Sequence, residues 1–474
     1  FYSTVTPWQS SGGVQVMLGN YLHNSDIQYM GQVAPVQLPA ELDGYNIRRG
    51  FWETSDLMYR FSLQVMARKI AHLKSNPLPP AEAAVPDMQQ LPAVTKMVER
   101  PRPFEVDLAA LEGMVKELSA LFKDYKELFN SNVMLVAVEQ DNFRLTSENV
   151  RLKFPLGLVG LTVSASVRTT DGSTVSDVLA ISSLENPADL PSLEELKKKV
   201  TDFADNLMEL KETPMIEEYY TGPVLFEEGA ASRLFTDNLL SPGRLLALRT
   251  MAPARGMLDE QLGRKIMDSR LTVKNYTMLV EYDGTPLFGH YEIDGDGVVP
   301  AAELTLVENG VFKRMLNGRV PTLKAPESTG SARFMISPDN PVAIVSPGTI
   351  HVQTSKSVAP EKLKKALLKA AKEADLEYAY IVRRIGGEAS AVYKVNVKDG
   401  KETRVRVNNL SAPELTKLMD LKGISSDERV MNYFPNGVPA SLIYPSAIIV
   451  GDVEINRTTP KIEEVPVLKH PLQR

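Results

Sequence analysis

The chain has 474 residues, 43% of them hydrophobic and 24% charged, with a formal net charge of −6 and no cysteine. Its length exceeds one ordinary core, so at least two domains are expected, while interspersed charges with an acidic balance argue against a duplex-DNA face. No apolar run nears the roughly 20 residues of a membrane span, and the lack of cysteine excludes disulfides, thiolate metal ligation and a cysteine nucleophile.

The chain opens at Phe1 rather than Met, and Phe1-Tyr-Ser-Thr-Val-Thr reads as a strand. The natural amino terminus, with any targeting segment, is therefore expected upstream, and the compartment, cytoplasmic or exported, stays open. Short strand-like runs reach about Ile47. A helix follows, with Ser55 or Asp56 as cap and Leu57, Phe61, Met66, Ile70 and Leu73 on one stripe. Prolines at 77, 79, 80, 86, 92, 101 and 103 mark an extended surface connector over 76–106.

From Asp107 the period becomes helical, with Leu108, Leu111, Val115, Leu118, Phe122, Tyr125 and Phe129 at spacings of three and four. It then switches to two. Residues 133–138 and 161–167 read as strands, and Thr170-Asp-Gly-Ser173 as a turn. Ser192 and Glu195 form a capping box for a second helix carrying Leu196, Val200, Phe203 and Leu207. An α+β first domain is expected to end near Lys211–Pro214.

The second half is richer in strands. Asn309-Gly310 and Asp399-Gly400 are hairpin turns, and 359–374 is a helix with Leu363, Ala366, Leu367 and Ala370 on one face.

Motifs of chemistry are sparse. No two of His23, His72, His290, His351 and His470 lie within five residues of each other, so no paired-histidine zinc motif exists. The cluster His290-Tyr-Glu292-Ile-Asp294-Gly-Asp296-Gly297 lacks the later ligands and closing glutamate of a calcium loop. It reads as a tight turn that uses Gly295 and Gly297. Composition and spacing stop at a two-domain α+β protein.

The segment Tyr219-Tyr-Thr-Gly-Pro-Val-Leu-Phe-Glu-Glu-Gly-Ala-Ala-Ser-Arg-Leu-Phe235 resembles the start of the carboxy-terminal domain of the TldD/PmbA family, long labelled modulators of DNA gyrase. The resemblance continues through Leu271–Val273, Asp294–Pro300, Leu306–Leu316, Thr329–Arg333 and Tyr444–Glu454. In the first half, Gly50–Tyr59 and the helix with Lys69 are similar to a predicted-peptidase branch. The fold this implies is α+β: an N-terminal domain, 1–213, of long helices packed on antiparallel sheet, and a C-terminal, strand-rich, barrel-like domain, 214–474.

In the TldD branch, Val-Leu-Leu precedes His-Glu-x-x-x-His, and a cysteine near the carboxy terminus is implicated at the metal. Here Glu227, Glu228 and Ser232 stand at those positions, with Glu228 where the general base belongs. A serine hydroxyl is a poor zinc ligand, so the resemblance implies a PmbA-like chain without zinc. Such a chain binds peptide in maturation or proteolysis, as a homodimer or with a TldD-type subunit. The substrate-facing candidates are Glu227, Glu228, Gly330, Arg333 and His290, with Arg333 placed to pair with a peptide carboxylate. Glu227 and Glu228 read first as first-turn acids favoured by a helix dipole, and Arg333 equally as a surface arginine in a loop. Two alternatives stay open: an active metallopeptidase with a remodelled site at His290, Glu228 and Asp294, and a modulator that binds gyrase.

Overall fold

The computed structural model describes residues 12–25, 33–36, 38, 43–100, 102–184, 186–249, 257–336, 343–386, 389–407 and 410–457. The strand expected at Phe1–Thr6 and His470 lie outside them. Helix α1 spans Gly44–Ser75, capped by Asp43, whose carboxylate accepts from the N–H groups of Tyr45 and Asn46. It therefore begins well before the expected Ser55 cap. Its buried face carries Met58, Ser62, Val65 and Lys69, whereas Leu57 and Ile70 are exposed. The expected stripe is rotated because a lysine occupies an inward position.

That lysine has a partner. Lys69 Nζ lies 2.6 Å from Asp87 Oδ2, and both side chains are 4% exposed. Asp87 also accepts the Asn24 N–H at 2.8 Å and faces Arg249 at 3.3 Å. An isolated charge at that depth is costly, so these contacts hold Asp87 inside the fold. The proline-rich stretch is thus tied down, not merely laid on the surface. It contains one helical turn, α2 (Pro80–Ala83), and strand Val94–Met97, which pairs in parallel with Val150–Lys153. Proline density at 76–92 did not foretell this, because the 94–97 strand itself contains no proline.

Helix α3 covers Leu108–Ala120 with Asp107 as cap, and stops earlier than the periodicity suggested. Phe129 already belongs to strand Leu128–Leu145. This strand pairs antiparallel with Val150–Arg168, which in turn pairs with Thr174–Leu184. Gly172, at φ +85°, makes the turn. Helix α4, Leu193–Glu212, has the Ser192–Glu195 capping box and buries Leu196, Val200, Phe203 and Leu207 against Leu161, Val163 and Val167. This is the expected layer of helices on antiparallel sheet.

Beyond it lie two six-stranded sheets. One runs in the order 311–312, 303–308, 271–276, 349–354, 440–445, 428–433; the other runs 402–405, 391–396, 378–384, 220–227, 447–455, 421–424. Their facing sides share one core, with Val273, Ile350 and Leu442 from the first and Phe226, Tyr380 and Ile448 from the second. Helix α5, Glu228–Leu239, adds Ala231, Leu234 and Phe235 to this core. Helix α6, Pro360–Glu373, covers the other face of the second sheet through Leu363, Leu367 and Ala371.

Among the described residues both sheets are open, so the strand-rich part is layered and not a closed barrel. The physical reason is in strand Tyr220–Glu227, where Val224, Leu225 and Phe226 are all fully buried. Its two faces need separate cover, which a helix and a second sheet provide. The Asn309-Gly310 turn has the expected positive φ at both residues, +48° and +78°. Among the described residues no helix is long and apolar enough to cross a membrane.

Candidate functional site

Strand Tyr220–Glu227 ends where helix α5 begins, and the junction is Glu227-Glu228. Successive strand residues point to opposite faces, which sends Phe226 into the core between the sheets and Glu227 to the α6 face. There Arg383, at the end of the parallel strand Tyr378–Arg384, places Nε 3.1 Å from Glu227 Oε2 and Nη2 2.9 Å from Glu402 Oε2. Lys364 of α6 lies 2.6 Å from Glu402 Oε1. The Arg383 guanidinium also stands over the Tyr393 ring, 4.4 Å from its centroid. Burial works against the Glu402 charge, but the hydrogen bonds from Lys364 and Arg383 outweigh it and hold its carboxyl below the usual range.

Glu228 is different. Its side chain is exposed, and its backbone is in the left-handed region, φ +51°. Its N–H donates to Ser446 O at 3.0 Å, which fixes the turn from strand to helix. A glutamate gains nothing conformational there; glycine would fit at lower cost. Ser232, one helical turn on, is 1% exposed and returns its hydroxyl to Gly229 O at 2.8 Å. Nearby, burial pushes the Tyr444 hydroxyl up.

A zinc ion needs about three converging donors. Of the three side chains that the sequence resemblance sets at the zinc-motif positions, Glu227 is committed to a guanidinium, Ser232 is a buried hydroxyl with a carbonyl partner, and only Glu228 is free to face solvent. These residues do not fit a zinc site.

The other candidates gather elsewhere. Arg333 is buried, not on the surface: Nη1 donates to Pro347 O at 2.7 Å and to Pro439 O. Its guanidinium lies 4.5 Å from the centroid of the Tyr291 ring. Burial brings its pKa down to about 10. The Tyr291 hydroxyl donates to Gly330 O at 2.8 Å, and Gly330 has φ +69° with Pro300 packed too close for a side chain. His290, next in sequence to Tyr291, is exposed.

Arg333 touches Pro439, just before strand Ala440–Pro445, whereas Glu228 touches Ser446, just after it. Seven residue steps at about 3.3 Å each put roughly 23 Å between these contacts. The sequence candidates thus form two groups, Glu227–Glu228 and His290–Gly330–Arg333, at opposite ends of one strand. A site built from His290, Glu228 and Asp294 does not converge.

The acidic turn is a structural device. Asp294, 1% exposed, accepts N–H groups from Asp296 (3.0 Å), Val298 (2.8 Å) and Ala332 (3.0 Å). Burial, with the neighbouring Asp296 charge, pushes its carboxyl up to about 7. Asp296 takes Arg144 at 3.2 Å, and Arg319 binds Glu148 with both terminal nitrogens, at 2.7 and 2.8 Å. Gly297, φ +92°, sits against Val94 and Val150, where a Cβ would come within 2.6 Å. The turn is therefore where residues 94–152 meet the strand-rich half.

Sequence reasoning missed Arg383, Glu402 and Lys364, and it named His351 without its partner: Nε2 lies 3.0 Å from Glu428 Oε1 while Tyr282 donates to the same carboxylate. Burial opposes the Glu428 charge, yet these two hydrogen bonds hold its carboxyl below the usual range. No short motif announces such partners, because strand pairing across the sheets brings them together.

The profile of the PmbA/TldA metallopeptidase C-terminal domain matches residues 220–457. No curated protein matches the sequence. Among solved structures, TldE from Thermococcus kodakarensis is similar over 90% of this chain and 88% of its own, at 15% identity and a TM-score of 0.55. Proposed gyrase modulators from Thermotoga maritima and Bacteroides thetaiotaomicron align at 15% and 13% identity with TM-scores of 0.48 and 0.46. They cover 77% and 90% of this chain and 79% and 91% of their own.

Proposed function

The chain belongs to the PmbA/TldD metallopeptidase family, and on that premise we propose that it is a peptide-binding subunit without zinc chemistry, acting in peptide maturation or proteolysis as a homodimer or beside a TldD-type subunit. The observation that carries this reading is the Glu227–Arg383 ion pair. It occupies the first ligand position of the motif with a neutralised carboxylate, and the buried Ser232 hydroxyl occupies the last.

A place for an extended peptide supports the reading. Strand Leu128–Leu145 is 18 residues long, and among the described residues it pairs on one side only. Residues 133–138, Val-Met-Leu-Val-Ala-Val, carry no charge and no proline, the features that usually blunt an edge. An unblunted edge holds a peptide by main-chain hydrogen bonds with little regard to sequence.

The test is zinc content together with peptide capture. Protein purified without chelators is expected to hold zinc well below unit stoichiometry and to bind an unstructured peptide without cutting it. Cleavage is expected only on adding a subunit that carries His-Glu-x-x-x-His. Firmly bound zinc at unit stoichiometry, with cleavage by this chain alone that Glu228→Gln abolishes, overturns the reading.

A further inference from the structure

Beside Gly330, the loop 324–329 faces residues 313–315, where the chain returns from the hairpin at Asn309-Gly310. Between them is an open pocket of about 440 Å³. Its apolar lining includes Leu304, Met315 and Ala325; Lys313, Arg314 and Lys324 supply its cations, and Glu327 its single carboxylate. Lys313 is partnered, 3.2 Å from Glu308. Arg314 and Lys324 are exposed and form no ion pair among the described residues. Arg314 and Lys324 outweigh the one carboxylate of Glu327, so on a chain of net charge −6 the concavity is a local reversal of sign, and it concentrates anions.

The walls are held in place by hydrogen bonds within the chain. Asn317 Nδ2 donates to Ala325 O at 2.9 Å, Ala325 N–H to Thr322 Oγ1 at 2.9 Å, and Ser328 N–H to Gln89 Oε1 at 2.9 Å. Leu316 N–H donates to Leu245 O at 2.8 Å, anchoring the segment behind Met315. A preorganised pocket that joins apolar lining to a pair of cations matches a carboxylate with an apolar group beside it. Arg314 offers the planar fork that a carboxylate takes with two hydrogen bonds, and Lys324 adds a point charge.

From this we infer that the pocket binds the free carboxyl terminus of a peptide whose last residue is apolar. The inference rests on the peptide-binding reading and gives it a polarity: one end of the substrate is held here, apart from Glu228. Inorganic phosphate shares the charge but cannot use the apolar lining, so it is a weak ligand.

Isothermal titration of the full chain with acetyl-alanyl-leucine, its carboxyl amide and inorganic phosphate tests this. The free acid is expected to bind at least about tenfold more tightly than either of the others, a difference of about 1.4 kcal/mol. Arg314→Gln with Lys324→Gln, both at exposed positions, is expected to remove that preference while the circular dichroism spectrum and melting temperature stay as they were. Equal binding of acid and amide, equal binding of phosphate, or an unchanged preference in the double variant overturns the inference. A longer amidated peptide separates the two readings. If it binds wild type and double variant alike while the short acid shows no preference, the pocket fails and peptide binding stands. If the short acid behaves as expected and no longer peptide binds, the pocket stands and the wider reading falls.

Discussion

Arg383 and Glu227 meet across two parallel strands, Nε to Oε2 at 3.1 Å, at the position where the sequence resemblance implies the first histidine of the zinc branch. The pair is partly exposed and extends to Glu402 and Lys364, so it forms a small surface network, worth little in stability. Its consequence is chemical: the carboxylate is neutralised where a ligand would stand.

Arg383→Ala is therefore expected to cost no more than about 1 kcal/mol in urea unfolding. The same change should raise the Glu402 pKa, since a guanidinium that holds it low is gone. Carboxyl chemical shifts followed against pH report this directly. Because a depressed carboxyl pKa stabilises the fold above the unfolded value and loses that effect as pH falls, the variant should show a weaker acid dependence below about pH 5. An unmoved Glu402 titration would mean that Lys364 alone sets it.

Glu228 tests whether the left-handed backbone at the junction is tolerated for a purpose. Glu228→Gly removes the Cβ from φ +51° and is expected to raise stability or leave it unchanged, whereas Glu228→Val, β-branched, should lower it by about 1–2 kcal/mol. Melting temperatures of the two variants decide. If the glycine variant also loses peptide binding, the exposed carboxylate has a role that conformation does not explain.

Asp294 makes the strand-rich half pH-dependent in the opposite sense to most carboxylates. Its folded pKa, about 7, is above the unfolded value of 3.8, so the stability linked to it is fully present below the unfolded pKa and is lost as pH rises through about 7. Asp294→Asn should flatten this slope. It should also cost about 1–3 kcal/mol, because an amide –NH2 would face one of the N–H groups of Asp296, Val298 or Ala332. Urea midpoints between pH 4 and 8 measure both effects. A slope that survives in the asparagine variant assigns the dependence to other groups.

The edge of strand Leu128–Leu145 is open to a paired experiment. Neighbouring N–H groups point alternately toward the partner strand and away from it, so proline at Val136 and at Ala137 should have unequal effects. One breaks a ladder bond to the strand 150–168 and costs about 3 kcal/mol. The other leaves stability within about 1 kcal/mol yet blocks peptide capture at the free edge. Peptide binding by both folded variants would remove this edge from the proposal.

Much of the fold was legible in the sequence, and the reason is local. The Ser192–Glu195 capping box, the stripe of Leu196, Val200, Phe203 and Leu207, and the Asn309-Gly310 turn each depend on residues within a few positions of one another. Local chemistry fails where an inward residue is polar. Lys69 shifted the face of α1 because its partner, Asp87, is 18 residues away beyond a run of prolines.

By itself, then, the sequence determined the family resemblance and the α+β character, and that resemblance implied Glu227 and Ser232 where the zinc branch carries histidines. Those features are carried by residue identity and short-range order. Only the tertiary structure decided that Glu227 is neutralised by Arg383, 156 residues on, that Arg333 is buried against Tyr291, and that Glu228 and Arg333 stand at opposite ends of one strand. Such partnerships arise from strand pairing between segments far apart in the chain. Their geometry depends on which strands become neighbours, and no spacing within a segment records that choice.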